Sequence, residues 1–195
     1  MELFSFKDFY LISRIVIIEY LINEKRKKIM KTNHLFFGFL ASSFLLACGA
    51  NNEYAYNEKT SSIFLRQMEQ IDETHKSLLE DSSKIFKPEG TDTVFLNNKA
   101  KNTIANSQRA IEDLKLLKPS EEAAEFNNGV LQYFTAINQY GLNVRKMLDA
   151  KTVEEKKTLF FQLDNRYKAL NKMPDSLMEI QKAYFKKVGL APKQE

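Results

Sequence analysis

Apolar side chains between residues 58 and 188 recur in alternating steps of four and three. Phe64, Met68, Ile71, His75, Leu78, Ser82 and Ile85 follow that spacing, with Leu65, Leu79 and Phe86 beside them. It is the seam of a helix that packs along one face, and it predicts a first helix over 58–86. Ala100, Ile104, Ser107, Ile111 and Leu114 stripe a second, over 93–117. Val130, Phe134, Ile137, Gly141, Val144 and Leu148 stripe a third, over 121–150, with Tyr133, Tyr140 and Met147 seven apart alongside. Leu159, Leu163, Tyr167, Leu170, Leu177, Ile180 and Tyr184 make the face of a fourth.

The breaks between stripes carry stop and start chemistry. Pro88 and Gly90 end the first stripe, and Asp92 or Thr93 is placed to cap the second. Pro119 ends the second, and Ser120 with Glu121 and Glu122 suits the next helix start. Thr152-Val153-Glu154-Glu155 has the capping-box pattern. Pro174 should kink or restart the fourth helix, because it lacks an amide donor and crowds the preceding turn. No segment alternates with a period of two. The expected fold is all-α, an up-down antiparallel four-helix bundle spanning 58–188, with a loose tail over 189–195.

A different pattern precedes the bundle. From Met30, Lys31 supplies a positive start, 35–46 is a short apolar run, and Ala47 precedes Cys48. These are the parts of a secretory signal peptide, and the run is short for a membrane span. Leu45-Leu46-Ala47-Cys48-Gly49 resembles the lipobox of bacterial lipoproteins. The resemblance implies diacylglycerol on the Cys48 thiol, cleavage before Cys48, and a further acyl chain on the new amine. Two or more chains anchor stably, at about 0.8 kcal/mol per buried methylene. Gly49 rather than Asp after the cysteine implies outer-membrane delivery where the bacterium has two membranes. Residues 48–57 then read as a small, polar, lipidated tether. Residues 1–29 break their apolar stretch with Arg14 and Glu19 and end in Lys25-Arg26-Lys27-Lys28, and they read as an N-terminal extension from a misassigned start.

The mature region also resembles uncharacterised helical surface lipoproteins of bacteria, on Glu53-Tyr54-Ala55-Tyr56-Asn57, Leu117-Lys118-Pro119 and Gln181-Lys182-Ala183-Tyr184-Phe185. That family carries no settled activity, so the resemblance implies no catalytic residue.

Charge changes meaning once the leader is set aside. Of 29 basic and 25 acidic residues, seven and four fall in 1–47, leaving 22 and 21 from Cys48 onward, a net charge near +1. A near-neutral domain with no basic stripe is not built for nucleic acid. The single cysteine can form neither an internal disulfide nor a thiolate cluster.

Candidate chemistry is sparse. His75 is the one histidine beyond Cys48, and Asp72 lies three residues before it on the same helix face. Carboxylate-bridged metal bundles need a second histidine, and Glu112, the nearest carboxylate on the second helix, falls off its stripe. Neither a nucleophile elbow nor a glycine-rich phosphate loop is present. The expectation is therefore no enzyme, no metal and no cofactor. The aromatics Tyr54, Tyr56, Tyr133, Tyr140, Phe160 and Phe161 read mostly as core, with a row of Tyr133, Tyr140 and Met147 as a candidate recognition surface. Ser82, Ser107 and Gly141 either let helices approach closely or leave a pocket between them. The functional expectation is a non-catalytic interaction module, held to the membrane through Cys48 and binding an envelope protein or component. The alternative is a helical bundle that binds a small ligand or metal.

Overall fold

The computed structural model describes residues 51–86 and 93–190. Cys48, the signal segment and residues 1–29 lie outside these residues, as do 87–92 and 191–195. Every regular element among the described residues is helical. In chain order they are α1 (Asn51–Glu80), α2 (Ser82–Ile85), α3 (Val94–Leu116), α4 (Ala124–Asp149), α5 (Val153–Leu170) and α6 (Met173–Lys187).

The apolar stripes become the core. Phe64, Ile71, Leu78 and Ile85 are buried from the first stripe, Ala100, Ser107 and Leu114 from the second, and Val130, Phe134, Ile137 and Val144 from the third. Helix α4 is the central element, packing against α1, α3, α5 and α6. Its buried side is wider than one stripe: Tyr133, Tyr140 and Met147 are as fully buried as the seam beside them.

Contacts between named residues fix the directions. Along α1, Tyr56, Phe64 and His75 meet Asn127, Tyr133 and Tyr140 of α4, so these two helices run the same way. Gln67 and Thr74 of α1 meet Asn106 and Thr103 of α3, which therefore runs oppositely. Asp72 meets Tyr167 of α5, and Asn57 meets Gln181 of α6, so these also oppose α1.

The caps follow the sequence with local differences. The Thr152 hydroxyl accepts from the Glu155 amide at 3.1 Å, as a capping box requires. Ser120 accepts from the Ala123 amide at 3.2 Å, in the turn that leads into α4. Thr93 precedes α3 without a side-chain cap. Pro174 sits in the first turn of a new helix, where a missing amide donor costs nothing, so the fourth stripe is divided between α5 and α6.

Three boundaries differ from the sequence reading. Helix α1 is already formed at Asn51 rather than near Glu58. Its extra turns are held by tertiary partners: Tyr56 donates to Asn127 at 3.0 Å, and Glu53 accepts from Tyr184 at 2.5 Å. Asp81 interrupts the stripe and leaves Ser82–Ile85 as a separate turn. At the other end, Gly189 takes φ +72°, the left-handed cap that glycine adopts without strain, and the Leu190 amide bonds back to the Phe185 carbonyl at 2.9 Å. Leu190 is buried, so the tail expected from Gly189 starts with a packed cap.

Small residues set the closest approach between α3 and α4. A Cβ added to Gly141 would meet Ile104 Cγ1 at 2.8 Å, and the Ala100 carbonyl and Ile104 amide at 3.3 Å. Ser107 tucks its hydroxyl onto the Ile104 carbonyl and accepts from Asn138 at 3.0 Å. Both interruptions of the stripes are therefore contact points, and neither opens a pocket.

Gly141→Ala is expected to destabilise the fold. Overpacking against backbone costs about 1–3 kcal/mol, which exceeds the ~1 kcal/mol that alanine gains over glycine in a helix. At Gly129 the obstructing atom is Leu177 Cδ2, the mobile end of a side chain. Gly129→Ala should therefore be near neutral, and paired urea melts of the two variants would reveal the contrast.

Candidate functional site

The chemistry-bearing residues of α1 converge on one buried polar cluster. His75, 2 % exposed, faces inward from the α1 stripe. Its Nδ1 lies 2.7 Å from the Tyr140 hydroxyl on α4, and its Nε2 lies 3.5 Å from Asp164 Oδ1 on α5. The imidazole stacks on the Tyr167 ring, with centroids 3.7 Å apart and planes 14° from parallel. Tyr167 in turn donates to Asp72 Oδ1 at 2.7 Å. Asp164 also pairs with Lys168 toward the surface. The spacing of three residues places Asp72 and His75 on one face, as expected, and Tyr167 lies against both.

The sense of the hydrogen-bond chain follows the histidine tautomer. Burial holds the Tyr140 phenol well above its ordinary pKa, and Tyr167 and Asp164 push it the same way. Tyr140 thus keeps its proton, and in the neutral tautomer that carries Nε2–H toward Asp164 it donates to Nδ1. An Asp–His–hydroxyl chain activates a nucleophile when the hydroxyl meets substrate and its proton is easily lost. Here the hydroxyl is 1 % exposed and its proton is held tightly. The cluster clamps α1, α4 and α5 together.

The other sequence candidates are dispersed. Cys48 lies outside the described residues. Glu112 is exposed on α3, away from the cluster. Among the described residues no group of three His, Cys, Asp or Glu side chains is placed to hold a metal ion. The proposed recognition row of Tyr133, Tyr140 and Met147 is corrected: all three are buried, because α4 is covered on several sides by its neighbours. Tyr54 is half-buried and Tyr56 buried. Phe160 packs edge-on against Phe86, whereas Phe161, expected with the core, is 73 % exposed.

Several polar residues were not singled out by sequence. Asp164 and Tyr167 complete the histidine cluster, and the adjacency of a charged residue to the Leu163 seam position was the available signal. Thr74 and Thr103 share a buried hydrogen bond of 2.9 Å between α1 and α3. Gln67, also buried, donates to the Asn106 carbonyl at 3.4 Å. Above these residues a polar groove of about 420 Å³ opens between α1 and α3, walled by Arg66, Glu69 and Gln70 on one side and Asn102, Arg109 and Asp113 on the other.

Comparison with known proteins adds no relative: no family model matches the chain, and neither the curated proteins nor the solved structures provide a match.

Tyr140→Phe should leave Nδ1 of His75 without its partner and cost about 1–3 kcal/mol, the penalty of an unsatisfied buried group. Thermal unfolding followed by circular dichroism would measure it. The tyrosines also predict alkaline behaviour. Burial, with Glu53 adding to it, pushes the Tyr56 phenol up to about 12. Tyr133 and Tyr184 are raised further, again chiefly by burial. A raised folded pKa favours the folded state below about pH 10, where unfolded phenols are still protonated. That contribution is lost as pH rises from there through the folded values. Tyrosine ionisation, followed by ultraviolet absorbance, should therefore coincide with loss of helicity above pH 10 rather than precede it.

Proposed function

We propose that the chain is a lipid-anchored, non-catalytic binding module of the bacterial cell envelope. Its mature part is an up-down antiparallel four-helix bundle, with α5 and α6 together as the fourth helix. Leu45-Leu46-Ala47-Cys48 is the observation that carries the reading. Cys48 takes the lipid, and cleavage before it removes residues 1–47.

The fold is compatible with that arrangement. No described helix is long and apolar enough to cross a membrane, and the lipid is the attachment that the Cys48 motif offers. Helix α1 starts at Asn51, three residues after Cys48. Three residues reach at most about 10 Å, so the bundle end carrying Glu53, Lys118 and Lys187 would rest against the headgroups. The non-catalytic part of the reading draws on the histidine cluster, which is enclosed and committed to packing. Binding then belongs to the surface. The partner is an envelope protein or component, in the outer membrane if the bacterium has two.

For the alternative of a small-ligand site, close packing at Gly141 and Ser107 and the enclosure of His75 weigh against those positions as its location. The groove between α1 and α3 offers a different one.

Metabolic labelling with a tagged fatty acid, in a bacterial host expressing the full chain, tests the anchor. Label should enter the protein and the protein should sediment with membranes. Cys48→Ala should abolish the label and release the protein. Label retained by C48A, or none taken up by the parent chain, overturns the reading. In-cell cross-linking of the labelled protein then identifies what it contacts.

A further inference from the structure

Leu116 is the most exposed large apolar side chain among the described residues, at 79 %. It ends α3 two residues after the buried Leu114, so it points about 200° round the helix from the core stripe. The half-buried Leu117 follows, and an exposed lysine stands on each side of the pair, Lys115 and Lys118. Neither lysine joins an ion pair among the described residues. Lysine stems lie along apolar surface while their ammonium groups stay in water. An apolar tip framed by free lysines therefore suits the boundary between lipid headgroups and acyl chains.

Isolated exposed leucines are ordinary, and the place of this one in the bundle is what gives it a partner. Gln67 of α1 meets Asn106 of α3, and the two helices run oppositely. Leu116 lies ten residues beyond Asn106, and Asn51 lies 16 before Gln67. At roughly 1.5 Å per residue, Leu116 therefore stands about 9 Å short of the α1 start, measured along the bundle. Cys48 precedes Asn51 by three residues, which span at most about 10 Å. A lipid on Cys48 thus brings a membrane surface to the end of the bundle that carries Leu116. Other exposed apolar residues are remote from that end. The contact of Tyr167 with Asp72 sets Phe161 about 40 Å from Asn51, and Val94 and Phe95 begin α3 at a similar distance.

Charge does not choose the lipid. Lys186 and Lys187 are exposed at this end, and so are Glu121 and Glu122 before α4. The end carries both signs, so the contact is apolar first.

We propose that the corner between α3 and α4 is a membrane-docking surface: in the anchored protein the bundle leans on this flank, and Leu116 enters the boundary between headgroups and acyl chains of a phospholipid leaflet. Lys115 and Lys118 then lie among the phosphates. The free carbonyls at the end of α3 stay in the hydrated headgroup layer, so only the leucine side chain leaves water. The tether of three residues is long enough to let the bundle lean and short enough to keep this flank within reach. The inference rests on the proposed anchor at Cys48 and adds to it the orientation of the bundle.

The chain has no tryptophan, so Leu116→Trp reports on this position alone. Phe161→Trp, at 73 % exposure on α5, is the comparison. Both positions are exposed, so circular dichroism melts should match the parent. Lys118→Trp, in the same exposed turn, is a second reporter should Leu116→Trp melt lower. The full chain is purified in detergent and reconstituted into phosphatidylcholine vesicles. It is held there by its own lipid or, where the host adds none, by coupling the Cys48 thiol to a maleimide-bearing phospholipid. Anchoring by the cell and docking of the corner are thereby read separately. Emission of the L116W variant should move to shorter wavelength in the vesicles, and its quenching by acrylamide should fall several-fold. Phosphatidylcholine brominated on its acyl chains should quench it. F161W should keep the emission and the acrylamide quenching of an indole in water. An L116W indole as accessible as that of F161W overturns the proposal. Equal shifts in both variants overturn it too, since the bundle would then lie along the surface. So does a shift that appears only with anionic lipid, because charge and not the leucine would then make the contact.

Discussion

Buried phenols must find hydrogen-bond partners, and in this bundle that requirement ties the helices in register. Tyr140 on α4 reaches His75, Tyr167 on α5 reaches Asp72, and Tyr184 on α6 reaches Glu53. All three partners belong to α1, and α1 returns the contact with Tyr56, which reaches Asn127 on α4. Apolar burial alone would tolerate a slide of one helix along another by a turn, because leucine and isoleucine seams look alike after seven residues. A hydroxyl that must end within 3 Å of a particular oxygen or nitrogen does not. The tyrosines thus convert a generic heptad seam into one alignment.

The two faces of α3 show how differently a seam can be filled. Toward α4, Gly141 and Ser107 bring the backbones together until even a methyl group would crowd them. Toward α1, Thr74 and Thr103 bond to each other, and Gln67 reaches a backbone carbonyl. Beside the apolar Ile63 and Ala110, these polar residues hold the second pair with directional contacts, and the space above them is open. The groove is a consequence of this asymmetry: α3 is seated on α4, and α1 spans the gap beside it.

Much of the architecture was legible because period and punctuation agreed. Four stripes, a proline or capping pattern at each break, and the absence of any period-two segment leave little besides antiparallel helices. The start of α1 was less legible, since Glu53 to Asn57 is polar, and only contacts with Asn127, Tyr184 and Gln181 show why it is helical. Tyr133, Tyr140 and Met147 were misjudged for a related reason. A stripe seven residues apart beside the main seam can face solvent or a further helix, and the outcome depends on how many neighbours surround α4. For His75 the residue type and its face were readable, but its partners came from α4 and α5, at sequence separations no local pattern encodes. The groove was least legible. Arg66 and Arg109 are ordinary surface arginines until the packing of α1 beside α3 sets them on the walls of one groove.

That register gives α1 two tasks in the anchored protein we propose. Its first turn follows three residues after Cys48, and its middle turns form one wall of the groove. From Asn51 to Gln67 the helix rises about 24 Å, at roughly 1.5 Å per residue. A helix of that length bends little, so in the proposed anchored protein the distance between membrane surface and groove would be set by backbone hydrogen bonds and not by a chain of variable extension. The buried polar residues beside the α1 stripe, Gln67 and Thr74, weaken the core locally. The tyrosine contacts above and below them, at His75 and at Tyr56, hold α1 in place across that weak section. A bundle held at both ends of one helix in this way can keep a polar opening midway along it without losing alignment.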